Sequence, residues 1–269
     1  MIKLAAFDLD GTLFDSGSGI SARNLEALGR IRRQGVQVVI ASGRPYQVVR
    51  HVLDQLGFAA DDAYCVTMNG ANVVRCADGQ TVSSSFVTGA DVKKVAAYAL
   101  SRGSFVHGFS LRRGLLVSEV NPYSAKEFFG GLVSYSVEDF LKLEDDELFY
   151  KILMAAPRSL LDRLAPEVPR ELTSRFAVIR SLDTLLEFLK SGTGKGPALM
   201  SLASWLGIAP SEVIAFGDEQ NDIDMVRSAG IGVAMANGSP ALKAVADFVT
   251  LSNDEDGVAF ALDRFVPIL

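Results

Sequence analysis

Asp8 and Asp10 are the first residues of the chain whose types and spacing could do chemistry, in the run Phe7-Asp8-Leu9-Asp10-Gly11-Thr12-Leu13. Residues two apart in an extended segment project to the same side, so two carboxylates are offered to one site. Both stay useful only if their repulsion is relieved, by a divalent cation that neutralises one or by a raised pKa that keeps the other protonated. Gly11 lets the backbone turn away directly behind them. Alternatives are few, because the 269 residues include only two histidines, His51 and His107, and two cysteines, Cys65 and Cys76. Neither pair has the spacing of a structural zinc site, and neither histidine stands in a nucleophile-elbow context. The chemistry is expected to run on carboxylates, lysine and a hard metal ion.

Such residues need elements to hold them. Residues 2–7 and 36–41 are near-continuous apolar strands, and 19–34 place Ile20, Leu25, Leu28 and Ile31 on one helical stripe. A second helix begins after Pro45, carries Val48, Val49, Val52, Leu53 and Leu56, and stops at Gly57. Residues 63–68 form the next strand. The rhythm resumes late in the chain, with a helix at 195–206, a strand at 212–217, a helix at 222–229, a strand at 231–235 and a closing helix at 254–265. Buried strands alternating with amphipathic helices predict a parallel sheet covered on both faces. The sheet's carboxyl edge is where such folds bind ligands, and Asp8 and Asp10 lie on it.

Between the halves the strands come in neighbouring pairs, 104–109 with 114–119 and 174–180 with 183–189. With helices at 90–102 and 158–172 and a strand at 148–155, they predict an inserted α+β domain with an antiparallel sheet. The expected organisation is a discontinuous α/β core, 1–82 and 188–269, interrupted by a domain at 83–187. The acidic run Glu144 to Glu147 reads as a solvated loop. His107, Arg112, Arg113, Asn121 and Tyr123 lie in or near loops of the inserted domain that could face a substrate, with a surface or hairpin role the favoured reading of each. Lys151, inside a strand of that domain, could equally be a snorkelling edge residue.

Asp8-Leu9-Asp10-Gly11-Thr12 resembles the first motif of the haloacid dehalogenase superfamily. Three further segments match its later motifs in order: Ser42-Gly43-Arg44, Lys195 within Gly192-Thr193-Gly194-Lys195-Gly196, and Gly217-Asp218-Glu219-Gln220-Asn221-Asp222. Asn69-Gly70-Ala71, Ala234 to Gly238 and Ser252 to Val258 are similar to the Cof-type branch, which carries a large α+β cap. The resemblance implies a Rossmann-like core and a Mg2+-dependent phosphatase. Asp8 would be the nucleophile and Asp10 the general acid and base. Asp8, Asp10 and Asp218 would hold the metal, with Asp10 using its main-chain carbonyl. Leu9, Ser42, Gly43, Lys195 and Asn221 would bind phosphate, and Asp222 would orient Lys195 or a metal-bound water. A lysine at a helix start brings both its charge and the local dipole to a phosphate.

The expected substrates are small phosphorylated metabolites, sugar phosphates first and cofactor phosphates second, chosen by the cap. A phosphomutase shares the aspartyl-phosphate but returns the phosphoryl group to sugar. A non-catalytic aspartyl-phosphate signalling module would need neither Asp10 as an acid nor a cap. Gly194-Lys195 lacks the P-loop pattern, since Leu189 and Gly196 stand where it needs Gly and Ser or Thr. The net charge of −6 offers no footprint for nucleic acid. Without a signal sequence or a membrane-length apolar run, the expected location is the cytoplasm, with both thiols reduced.

Overall fold

The computed structural model describes residues 1–55 and 63–267, so the helix end expected at Leu56 and Gly57 lies outside the described residues. The chain divides into two compact units, Met1–Ser83 with Gly194–Leu269, and Ser84–Thr193. The second crossing lies beyond the 187/188 boundary expected from sequence, because a strand of the inserted unit continues to Lys190.

In the larger unit the chain runs β1 (Leu4–Phe7), α1 (Ala22–Arg33), β2 (Gln37–Ala41), α2 (Tyr46–Gln55), β3 (Tyr64–Thr67), β4 (Asn72–Arg75) and β5 (Thr81–Ser84). The inserted unit follows with β6 (Val87–Thr88), α3 (Gly89–Ser101), β7 (Phe105–Ser110), β8 (Gly114–Val117), α4 (Ser124–Glu127), β9 (Tyr135–Val137), β10 (Leu148–Ala155), α5 (Arg158–Leu164), α6 (Arg170–Thr173), β11 (Phe176–Leu182) and β12 (Leu185–Lys190). The return to the larger unit adds α7 (Lys195–Trp205), β13 (Val213–Gly217), α8 (Ile223–Ser228), β14 (Ile231–Ala234), α9 (Pro240–Lys243), β15 (Phe248–Val249) and α10 (Gly257–Phe265). Among the described residues no helix is long and apolar enough to cross a membrane.

The larger unit's sheet has the order β15-β14-β13-β1-β2-β3-β4-β5 and is parallel from β15 through β3. β4 turns back antiparallel on β3, a hairpin that the alternating strand and helix pattern did not reveal. Every residue of β1 and β13 is buried, as expected for strands covered on both faces. One core layer packs Leu28 and Ile31 of α1 and Leu262 of α10 against Phe7, Ile40 and Phe216, and the other packs Leu199 and Leu202 of α7 against Ala6, Val39 and Ala215. α1 starts where Ser21 Oγ accepts from the Asn24 amide, and Arg30, Arg32 and Arg33 in its last turn complement its dipole. The register places the site: Phe7 lies beside both Phe216 and Ile40, so β1, β13 and β2 end side by side. The Phe7 and Phe216 rings stack at 4.9 Å, a contact worth about 0.5–1.5 kcal/mol, between the strands that deliver Asp8 and Asp218. Cys65 and Cys76 are buried free thiols with sulfurs 3.7 Å apart.

The inserted unit's sheet runs β11-β12-β10-β7-β8-β9 and is antiparallel except where the short edge strand β9 lies parallel to β8. One face packs Ile152, Met154, Leu186 and Phe188 against Val92, Val95 and Ala96 of α3 and Leu161 of α5. The helix expected over 158–172 is broken, because Pro166 and Pro169 cannot continue its hydrogen bonding. Several residues read as exposed are inside. Lys151 sits on central strand β10, 2 % exposed, with Nζ 3.0 Å from both carboxylate oxygens of Glu187. His107 is fully buried, its Nε2 facing the Asn121 amide at 3.1 Å and Ser124 Oγ at 3.2 Å. Glu147, taken as part of a solvated acidic loop, is buried and bonded by Ser110 and Arg113.

Candidate active site

Asp8 follows β1, Ser42 follows β2, and Asp218 follows β13. Asp8 is tied to its neighbouring strand by its backbone N–H, which donates to the Phe216 carbonyl at 3.1 Å. Lys195 opens α7 and is fully buried, and its ammonium donates to Asp8 Oδ1 and Asp222 Oδ1, each at 2.6 Å. Asp222 turns its other oxygen to the backbone amides of Asp218 and Glu219, both at 3.1 Å. Its carboxylate is thereby fixed as the brace between Lys195 and the loop after β13. Asp218 Oδ1 accepts from Thr12 Oγ1 at 3.1 Å, a bond that joins the first and last motifs across 206 residues.

The loop glycines make this convergence possible. Gly11 has φ of 79°, and a methyl group on it would lie 2.3 Å from Asp218 Oδ2, so a side chain there is excluded by both backbone and space.

Asp8, Asp218 and Asp222 each place a carboxylate oxygen within 4.8 Å of the others, and all three are buried. One lysine cannot balance three buried carboxylates. Burial, opposed by Lys195 and reinforced by Asp222, Asp218 and Asp10, pushes the Asp8 carboxyl well above its usual range. Burial and then Asp222 push Asp218 up to about 7, against the pull of Thr12 and Lys195. An all-oxygen set with an uncompensated negative charge fits a hard divalent cation such as Mg2+. Since Asp222 is already engaged by Lys195 and two amides, Asp8 and Asp218 are the carboxylates best disposed to hold one.

The remaining expected residues divide. Ser42 is buried, and its Oγ accepts from the Arg44 amide at 3.2 Å. Asn221 Nδ2 donates to Asn69 Oδ1 at 3.1 Å. The Leu9 side chain lies in the core, which leaves only its backbone to face a phosphate. Asp10 stands apart from the buried cluster: its carboxylate is 59 % exposed and is held by Arg44, whose Nε lies 2.9 Å from Oδ2. Sequence reasoning therefore missed the parts played by Thr12, Arg44 and Asn69. The signal for Arg44 was its place beside Ser42-Gly43, whereas the partners of Thr12 and Asn69 are 206 and 152 residues away.

Comparison with known proteins agrees with this geometry. The family model of haloacid dehalogenase-like hydrolases matches residues 5–262. The chain is 30% identical over 291 aligned residues to the phosphatase YwpJ of Bacillus subtilis, covering 98% of this chain and 100% of that one. It is 31% identical to the HMP-PP phosphatase of Escherichia fergusonii, over 91% of this chain and 88% of that one. Among solved structures it superposes on the subclass IIB sugar phosphatase BT4131 with a TM-score of 0.85 and 26% identity, covering 99% and 100% of the two chains. With three motifs at strand ends of one parallel sheet, the fourth at the start of α7 and an α+β unit inserted between them, the chain belongs to the haloacid dehalogenase-like hydrolases, in their Cof-type branch.

Proposed function

We infer that the protein is a Mg2+-dependent phosphatase that hydrolyses phosphomonoesters of small metabolites, sugar phosphates above all, through an aspartyl-phosphate on Asp8. The observation that carries this reading is the buried cluster in which Lys195 bridges Asp8 and Asp222 while Asp218 lies alongside. The sugar phosphatase and HMP-PP phosphatase among its relatives support the substrate class.

Asp8 attacks phosphorus in line with the leaving oxygen, forming the acyl-phosphate bond as the ester P–O bond breaks. Lys195 occupies Asp8 Oδ1 and leaves Oδ2 as the attacking atom. Asp10 gives its proton to the departing alcohol, then takes one from the water that attacks the aspartyl-phosphate, so inorganic phosphate leaves and Asp8 is regenerated. Arg44 directs the Asp10 carboxylate between these transfers. Ser42, Gly43, the Leu9 backbone and Asn221 bind the phosphoryl oxygens, and the Lys195 ammonium offsets the charge that builds on them. Asp8, Asp218 and the Asp10 carbonyl would hold Mg2+, which would supply Lewis-acid stabilisation and shield one anion from another.

The test is phosphate release from a panel of sugar and cofactor phosphates, with Mg2+ and with chelator. Asp8→Asn is expected to lose at least about a thousandfold in kcat while keeping the fold. Undiminished release by Asp8→Asn, or release that persists in chelator, overturns the reading.

A further inference from the structure

Asn69 has no part in the chemistry above, yet it is fully buried among the loops that carry that chemistry. Its Oδ1 accepts from Asn221 Nδ2 at 3.1 Å, and its backbone N–H donates to the Ser42 carbonyl at 3.1 Å. A methyl group on Gly43 would lie 3.0 Å from Asn69 Nδ2 and 3.1 Å from Oδ1, so the amide packs directly behind Gly43. On its other side, a methyl on Gly70 would lie 2.1 Å from the carbonyl oxygen of Gly194, the residue before Lys195. One short turn thus touches the loop after β2, the loop after β13 and the start of α7.

The turn is held in an uncommon conformation. Met68, Asn69 and Gly70 all have positive φ, 53°, 53° and 93°. Asn tolerates the left-handed region better than most residues, but Gly does so at less cost. The backbone alone would therefore be served by Gly at 69, and the amide adds a function that Gly lacks. Strained backbone of this kind is kept where surrounding contacts fix it.

We propose that Asn69 is a positioning residue of the phosphate site, whose amide holds the Asn221 side chain and backs Gly43 so that the groups reading the phosphoryl oxygens keep a fixed spacing. Asn69 acts through Asn221 and the Ser42-Gly43 loop. The proposal rests on the phosphatase reading of the same site.

Asn69→Gly keeps the left-handed backbone and removes only the amide. In the full-length protein with Mg2+, the expected result is a rise of about tenfold in both KM for p-nitrophenyl phosphate and Ki for inorganic phosphate, with a smaller fall in kcat. Asn221→Ala, which removes a phosphate ligand together with its anchor, should raise KM and Ki at least as much, and Asn69→Gly should cost several-fold less in that background than in the wild type. A merely structural role would lower the amount of folded enzyme and so reduce kcat at unchanged KM and Ki. KM and Ki of Asn69→Gly within about twofold of wild type, or losses that multiply in the double variant, overturn the proposal. Should Asn69→Gly not fold, Asn69→Asp keeps the acceptor and the left-handed preference but sets an anion beside the site; an unchanged Ki for phosphate there overturns it equally. Wild-type protein without Mg2+-stimulated release defeats the phosphatase reading itself, whereas active wild type with unaltered Asn69 variants defeats this inference alone.

Discussion

Two buried lysines, one in each unit, meet the same problem and solve it differently. Lys195 stands between Asp8 and Asp222 with Asp218 nearby, and Lys151 stands against Glu187 with Glu127 of α4 nearby. In each place carboxylates outnumber the ammonium. In both places burial holds a further carboxyl up at about 7: Glu127 beside Lys151, against the pull of Lys151 and with a push from Glu187, and Asp218 beside Lys195. The Lys151–Glu187 ion pair, both partners 3 % exposed, spans the neighbouring strands β10 and β12. At Lys195 the surplus sits at strand ends with an all-oxygen donor set, where a cation or a phosphoryl group can engage it. A buried lysine among acids is therefore not a functional sign by itself. What distinguishes the two is whether the surplus carboxyls stand at the strand ends of a parallel sheet, where a ligand can reach them.

The sharpest way to break this contrast is to remove each ammonium. Lys195→Met is expected to cost at least about a thousandfold in kcat/KM, measured by phosphate release, because phosphate loses its fixed cation beside the nucleophile. Lys151→Met should instead be read in stability, since Glu187 loses its buried countercharge, at a cost of about 3–5 kcal/mol. Lys151→Met with Glu187→Leu should recover most of that loss. The sole tryptophan, Trp205, belongs to the larger unit, so amide exchange along β10 is the proper probe of the smaller one. If Lys151→Met leaves that exchange unchanged, the ion pair contributes nothing and the contrast fails.

The smallest expected effect concerns pH. Glu127 holds its proton to about 7 in the fold, against 4.5 in the unfolded chain. Below pH 4.5 both states are protonated and nothing is lost. From 4.5 to 7 the unfolded chain releases the proton while the fold retains it, so stability falls as pH rises and levels off above 7. Glu127→Gln should therefore stabilise the smaller unit at pH 8 by up to about 3 kcal/mol, and give no gain at pH 4. Burial lowers His107 to about 4 from 6.5, which acts in the opposite sense: its contribution is present above 6.5 and is lost as pH falls towards 4. A Gln variant with the same pH profile as wild type would show that Glu127 titrates alike in the folded and unfolded chain.

The four motifs were legible because three are short runs at the ends of β1, β2 and β13, which the parallel register brings together, and the fourth opens a helix, α7. The alternation of apolar runs gave the two units, but not the antiparallel return of β4, whose Asn72-Val73-Val74-Arg75 is too short to carry a period. Buried polar partners were the least legible. Lys151 and Glu187 are 36 residues apart, and neither has a local feature that marks it as interior. Asn69 was noticed only as flanking text, because its role depends on contacts with Asn221 and Gly43 that no local pattern encodes.

Within the inserted unit, Ser85 and Thr193 lie at the two ends of the insertion, and their hydroxyl oxygens are 2.8 Å apart. The entering and leaving strands of chain are thus clasped at one point. A segment whose ends meet is a cassette: it can be lengthened, shortened or exchanged for another without moving the strand ends that carry Asp8 and Asp218 or the helix start that carries Lys195. Specificity in such a protein is free to diversify by grafting, while the catalytic frame keeps its register.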